Sequence, residues 1–201
     1  MRLAATACSQ ALQDAGVTAA EIDTIAVIRL FSDTVKTWAS PFGGSNNPPE
    51  SVARHIGANP SSRIYSNAGG TEPLTLLREL CQDIASGEKT MALLSGAEAI
   101  ANQRFALRNG FEVNWDEQFD VAMDNREYTR RFASPQELGS GMKLPVHYYA
   151  LIENLQGHNL GHDTQQHRWH MAEMMAPFSE VASANPYAQF TTAYSAQRLA
   201  E

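Results

Sequence analysis

Four histidines fall close together late in the sequence, His158, His162, His167 and His170, at spacings of four, five and three. The last pair lies one helical turn apart, a spacing that can place two imidazoles on one metal ion. No cysteine lies nearby and no HExxH pattern is present, so the motif that would mark a metal centre is missing. His167 and His170 also border a stripe of Met171, Met174, Phe178 and Val181, and packing or exposure accounts for the histidines without an ion. No metal ligand is therefore assigned from the sequence. The thiols are few. Cys8 and Cys81 are the only cysteines and form neither a CxxC pair nor a disulfide framework. Cys81 shares a helical stripe with Leu74, Leu77 and Ile84, which predicts a buried and inert thiol. Cys8 has no base beside it in sequence. A third feature is the turn Asn67-Ala68-Gly69-Gly70-Thr71. Gly69, Gly70 and Thr71 offer flexible backbone N–H groups at a helix start, where an anion or a carbonyl oxygen can be held. Thr71 suits a cap, and Pro73 falls in the first turn. The same residues also read as a plain strand-to-helix turn, since glycine pairs are common there.

Composition narrows the classes of protein that such groups could serve. Of 201 residues, 43% are hydrophobic and 18% charged, which favours a packed core over disorder. The 15 Lys and Arg against 22 Asp and Glu give a net charge of −7, and no basic run stands out. A nucleic-acid partner is therefore excluded as an expectation, because it needs a basic face to displace counterions. No apolar run reaches the roughly 20 residues of a membrane span. Two unpatterned cysteines and seven methionines fit the reducing cytoplasm.

The elements that would position these groups alternate. Leu3, Ala7, Ala11 and Ala15 fall four apart, predicting an opening helix stopped by Gly16. Ile22 to Phe31 is a nearly continuous apolar run, as in a buried parallel strand. After a loop from Ser40 to Pro49, a short helix over Glu50–Ile56 is closed by Gly57, and a strand is expected at Arg63–Asn67. A helix from about Pro73 to Ser86, closed by Gly87, precedes a strand at Thr90–Leu94. This alternation is the signature of an α/β layer with a parallel sheet. It begins on a helix, which predicts that an opening strand is absent. From about Gln103 to Met142 the chain turns mixed and polar. Helices are expected again at Pro145–Leu155 and from Asp163, with Pro177 as a kink.

Asn67-Ala68-Gly69-Gly70-Thr71-Glu72-Pro73-Leu74, Ala85-Ser86-Gly87-Glu88 and Gly96-Ala97-Glu98-Ala99-Ile100 together resemble the thiolase family. There a strand ends in Asn, the nucleophilic cysteine follows three residues later at the start of a buried helix, and that helix ends in Gly-Asp/Glu. The next strand ends in a Gly-x-Glu turn. Ala11-Leu12-Gln13-Asp14-Ala15-Gly16 and Ile22-Asp23 resemble the family's first helix and second strand. Asn114-Trp115, Arg131-Phe132-Ala133, Pro145 to Ala150, Phe178 to Ala182 and Asn185-Pro186 resemble one branch. That branch comprises thiolase-like proteins labelled acetyl-CoA acetyltransferases, near the sterol-carrier-protein thiolases.

The resemblance implies a thiolase-like N-terminal half, a βαβαβαββ-type layer lacking its first strand, over residues 1–103. It implies an inserted, irregular then helical loop domain over 104–201, which in the family covers the acyl-CoA cleft and supports oligomer contacts. Coenzyme A or acyl-CoA is the implied ligand, with no covalently bound cofactor, and a homo-oligomer or partner subunit is implied for the whole protein. The nucleophile position falls on Gly70, which has no side chain to acylate. The family's His and Cys acid/base groups come from a second half that these residues do not include. Turnover on coenzyme A esters, binding of such esters or of a partner subunit without turnover, and a metal-binding loop module are the competing functions. Arg130 and Arg131 could meet a coenzyme A phosphate, or form a solvated charged face. In the family the opening strand lies centrally, in the order 3-2-1-4-5. Its absence is expected to leave its two neighbours unpaired and the chain prone to aggregate.

Overall fold

The apolar run after Ile22 becomes strand β1 (Thr24–Val27), every residue of which is buried. A computed structural model describes residues 1–34, 39–127 and 133–201, and they fall into two compact units, Met1–Arg130 and Arg131–Glu201. In the first unit, β1 is central in a parallel sheet of order β3-β1-β2-β4, with β2 (Ser62–Tyr65), β3 (Ala92–Ser95) and the two-residue β4 (Asp124–Asn125). Side chains alternate across such a sheet. Ile25 and Val27 join Tyr65 and Leu93 on one face, packed with Ala4 and Cys8 of α1 (Arg2–Ala15) and Val52 and Ala53 of α2 (Pro48–Ile56). Ala26 and Ile64 face the other way, against Leu76 and Leu80 of α3 (Glu72–Ser86). The expected α/β layer is present, with helices on both faces.

Helix ends agree with the sequence reading while helix faces do not. Gly16, Gly57 and Gly87 all adopt the left-handed conformation that stops α1, α2 and α3, a geometry glycine reaches without Cβ strain. On α1 the buried residues are Ala4, Ala5 and Cys8, whereas Leu3 is 58% exposed. On α3 the buried apolar pair is Leu76 and Leu80, four apart, beside the buried Glu72 of its first turn, and the expected stripe of Leu74, Leu77, Cys81 and Ile84 is exposed. Each helix carries two apolar stripes, and the sheet takes the one whose side chains its pleat can seat. Cys81 is consequently an exposed thiol, contrary to the expectation of a buried one.

The gap expected from a missing strand is closed. β1 and β3 pair directly in register, Thr24 with Ala92 through Val27 with Ser95. The backbone groups that would have faced an empty lane satisfy one another, and the ground for expecting aggregation from unpaired central strands falls away. Asp23 clips the start of this pair. Its carboxylate accepts from the Thr90 and Met91 amides at 2.5 and 3.2 Å, and from the Thr24 hydroxyl at 2.8 Å. Burial alone would raise its pKa, but these bonds and the charge of Lys89 hold it below the usual carboxylate value.

After α4 (Ile100–Arg108) the polar segment returns along the first unit. Asn46 exchanges two hydrogen bonds with Phe119, and the Asn47 amide donates to Val121 O at 2.8 Å. Phe42 packs edge-on against Trp115, with ring centroids 5.2 Å apart. The loop preceding α2 is thereby fixed, and Asn47 caps α2 by accepting from Glu50 N at 3.0 Å.

In the second unit α5 (Pro135–Gly139) and α7 (Thr164–Ser183) begin with capping boxes, Ser134 with Glu137 and Asp163 with Gln166. At the start of α6 (Pro145–Asn159), His147 Nδ1 accepts from the amides of Lys143 and Leu144. Pro177, expected as a kink, lies inside α7, and α8 (Ala196–Ala200) follows near the end of the chain. The stripe expected to pack on α7 is outward: Met174, Phe178 and Val181 are exposed, and the buried residues are His167 and Ala172.

Candidate functional site

The turn singled out in the sequence lies where parallel α/β sheets usually hold ligands, beyond the carboxyl ends of the strands. β2 ends at Tyr65, and the chain crosses Ser66 to Thr71 before entering α3. Asn67 is half-buried, and Gly69 and Gly70 are exposed. Gly69 has a φ of 149°, a conformation side chains disfavour. Gly70 does not share that constraint, and a Cβ built on it would meet nothing within 4 Å. Neither backbone strain nor crowding demands glycine at the position that the thiolase resemblance assigns to the nucleophile.

Hydrogen bonding in the turn runs through its carbonyls. Gly69 O accepts from Glu72 N at 3.2 Å, and Thr71 O accepts from the amides of Leu74 and Thr75 and the Thr75 hydroxyl. The N–H groups of Gly70 and Thr71 donate to no described residue, as expected of the first turn of a helix. Thr71 stands at the cap position but its side chain makes no capping bond, which corrects the role read from the sequence. The helix start therefore presents unspent donors and the positive end of the α3 dipole to solvent.

The strand ends beneath this turn are held by Arg29, a residue the sequence reading passed over. Its guanidinium lies 4.2 Å from the centre of the Tyr65 ring and donates to Ser66 O, Asn125 Oδ1 and Arg126 O. Its backbone N–H donates to Ser66 Oγ at 2.9 Å, and Ser66 Oγ in turn donates to Asn67 O at 2.6 Å. Tyr65 donates to Asp33 Oδ2 at 2.5 Å and accepts from Leu30 N, and burial with that bond pushes its phenol far above the ordinary range. Nothing local in the sequence marks this cluster, since its members lie 37 and 96 residues apart and meet only in the sheet. Arg126 anchors the neighbouring strand through paired bonds to Glu79 of α3 and one to Asp124.

No thiol reaches the turn. Cys8 lies buried on the α1 side of the sheet, where burial pushes its thiol up and away from the thiolate form. Cys81 is exposed but stands far along α3, about 15 Å from Gly70 by helical rise. Glu98, in the Gly96-Ala97-Glu98 landmark, accepts from Phe31 N at 2.5 Å, and a Cβ on Gly96 would stand 3.1 Å from Ile28 Cβ. That landmark therefore packs tightly against the segment leaving β1. Arg130 and Arg131, the residues considered for a coenzyme A phosphate, lie outside the described residues, as does Phe132.

No protein-family model and no curated protein sequence matches the chain. Among solved structures, the chain is similar to the crystal structure of a monomeric SCP2-thiolase-like protein type 1 from Mycobacterium smegmatis. The TM-score is 0.60 and the identity 29%, over 100% of this chain and 35% of that one. The chain thus spans about a third of the length of the protein it matches, and its fold is thiolase-like.

Proposed function

We propose that this chain belongs to a coenzyme A thioester-binding protein of thiolase-like fold, and that its β2–α3 turn binds a thioester carbonyl without being acylated. The observation that carries the reading is Gly70, an open position at the start of α3 with no thiol in reach. Asn67, Gly69, Gly70 and Thr71 form the binding turn, and the N–H groups of Gly70 and Thr71 are oxyanion-type donors that need no nucleophile to work. Acyl transfer of the acetyl-CoA acetyltransferase kind, which the resemblance implies, requires a side-chain nucleophile that glycine lacks. The division into a core over 1–103 and an inserted domain over 104–201 belongs to the same reading, as does assignment to the branch near the sterol-carrier-protein thiolases. Cytoplasmic work on a soluble thioester belongs to the same reading; among the described residues no helix is long and apolar enough to cross a membrane. The matched structure is of a monomeric protein, so the oligomer implied by the resemblance is a matter for sizing of the whole protein.

The test is acylation by acetyl-CoA followed by intact mass. The chain as it stands binds the thioester and gains no mass. Gly70→Cys places a thiol at a helix N-terminus, where the thiolate is favoured. In that variant the Cys sulfur attacks the carbonyl, the coenzyme A thiolate leaves and takes up a proton, and the chain gains one acetyl group. Acylation of the unaltered chain, or of Cys81 in either form, overturns the reading.

A further inference from the structure

The second unit holds a cluster that the thioester reading does not use. His162, in the turn after α6, and His167 and His170 on α7 bring three imidazoles together. Ring centroids are 6.0 Å apart for His162 and His167, 5.4 Å for His162 and His170, and 6.3 Å for His167 and His170. Three imidazoles bound to one tetrahedral ion at ordinary zinc–nitrogen distances have centroids about 5 Å apart. The rings stand slightly wider than that, and no three His, Cys, Asp or Glu among the described residues converge on a point as they stand. Binding therefore requires the ring of His162, which is in a turn, and that of the exposed His170 to rotate towards His167.

His167 supplies the second, independent observation. It is only 9% exposed, its Nε2 lies 3.0 Å from Glu153 Oε2 on α6, and its Nδ1 is buried with no hydrogen-bond partner among the described residues. With Nε2–H donated to the carboxylate, Nδ1 carries a lone pair and nothing to receive. A carboxylate behind a ligating imidazole is the arrangement that orients histidines at metal centres. His162 Nδ1 is buried and unpartnered in the same way. Gly157 of α6 makes the approach feasible, because a Cβ there would come within 2.8 Å of His167 Cγ and 3.2 Å of its Cδ2. The α6 backbone thus touches the Cγ–Cδ2 edge of the ring and leaves the Nδ1 edge on the far side.

We infer that His162, His167 and His170 bind a divalent metal ion of imidazole-preferring character, with zinc the best match. Glu153 orients His167 from behind, and the ion fastens the α6–α7 hairpin. The spacing alone did not license this, because the sequence lacks a metal-site motif. The geometry adds the two orphaned nitrogens and the carboxylate.

The test uses the full chain without an affinity tag, stripped with chelator, and titrated with zinc by calorimetry and with cobalt(II) by visible absorption. One ion per chain is expected, with the intense cobalt bands of a tetrahedral site. His162→Gln and His170→Gln each weaken binding at least tenfold, while His158→Gln and His55→Gln leave it unchanged. His167→Gln also disturbs helix packing, so the first two variants, with helix content checked by circular dichroism, carry the result. Absence of saturable uptake overturns the inference. So does binding that survives loss of His162 and His170 together, or that falls equally with His158→Gln.

Discussion

The first unit puts its apolar residues between layers, whereas the second wears most of its own outside. Ile25, Ala26 and Val27 are fully buried between α1 and α2 on one side and α3 on the other. In the helices of the second unit the buried residues are Gly157, His167 and Ala172, while Leu151, Ile152, Leu155, Phe178 and Val181 are more than half exposed. A sheet strand with both faces covered gains its stability from long-range packing. A helix with outward apolar residues depends on caps, turns and a few contacts such as that of His167 with Glu153. Secondary structure alone would have ranked the two units alike.

The largest expected effect tests whether the first unit also relies on buried charge. Glu50 has a side chain 2% exposed between Arg63 and Arg54, at 2.5 and 2.6 Å. Glu50→Ala leaves Arg63 with only its bond to Pro60 O and no carboxylate, and is expected to cost about 3 kcal/mol in urea unfolding. Burial alone would raise the pKa of Glu50, yet the bonds from Arg63 and Arg54 hold it below the usual value. Its contribution is therefore complete above about pH 5 and is lost as the pH falls through the depressed folded pKa. Acid titration of stability should show that loss flattened in the variant; an unchanged profile would remove Glu50 from the account.

Apolar truncation compares the two units directly. Ile25→Ala should cost about 3 kcal/mol, whereas Phe178→Ala should shift stability by less than about 0.5 kcal/mol. Equal costs would mean that α7 has an apolar partner after all. Asp23→Asn comes next, at about 1 kcal/mol, read as faster amide exchange at Thr90 and Met91. The last comparison concerns the caps. Asp163→Ala should lower helicity of the second unit at a cost of about 1 kcal/mol or less, and Phe178→Ala should leave helicity unchanged.

Much of the fold was legible because glycine stops, proline starts and apolar runs are local signals. Gly16, Gly57 and Gly87 end their helices where the sequence says. The buried faces were not legible: α1 is rich in alanine, which fits either face, and α3 offers Leu74-Leu77-Ile84 and Leu76-Leu80 equally to a periodicity count. Only the sheet decides between them. At the candidate site, Gly69 and Gly70 could be read from their place after β2. Arg29 could not, because its partners Ser66 and Asn125 are distant in sequence and meet only when β1, β2 and β4 align. The histidine cluster was visible as a spacing, but the burial of His167 with Gly157 lying against its ring, and the two Nδ1 atoms left without a partner among the described residues, appear only in the fold.

The direct pairing of β1 with β3 also fixes an order of events during folding. β1 meets β2 across the α2 connection, but it meets β3 only after the chain has gone on through β2 and α3. Closing the longer loop costs more entropy, so the β1–α2–β2 unit is expected to assemble first, with the β3 edge of β1 open until α3 and β3 arrive. During that interval the most apolar strand of the molecule has one free side. Asp23, which catches the Thr90 and Met91 amides just ahead of β3, is placed to shorten it.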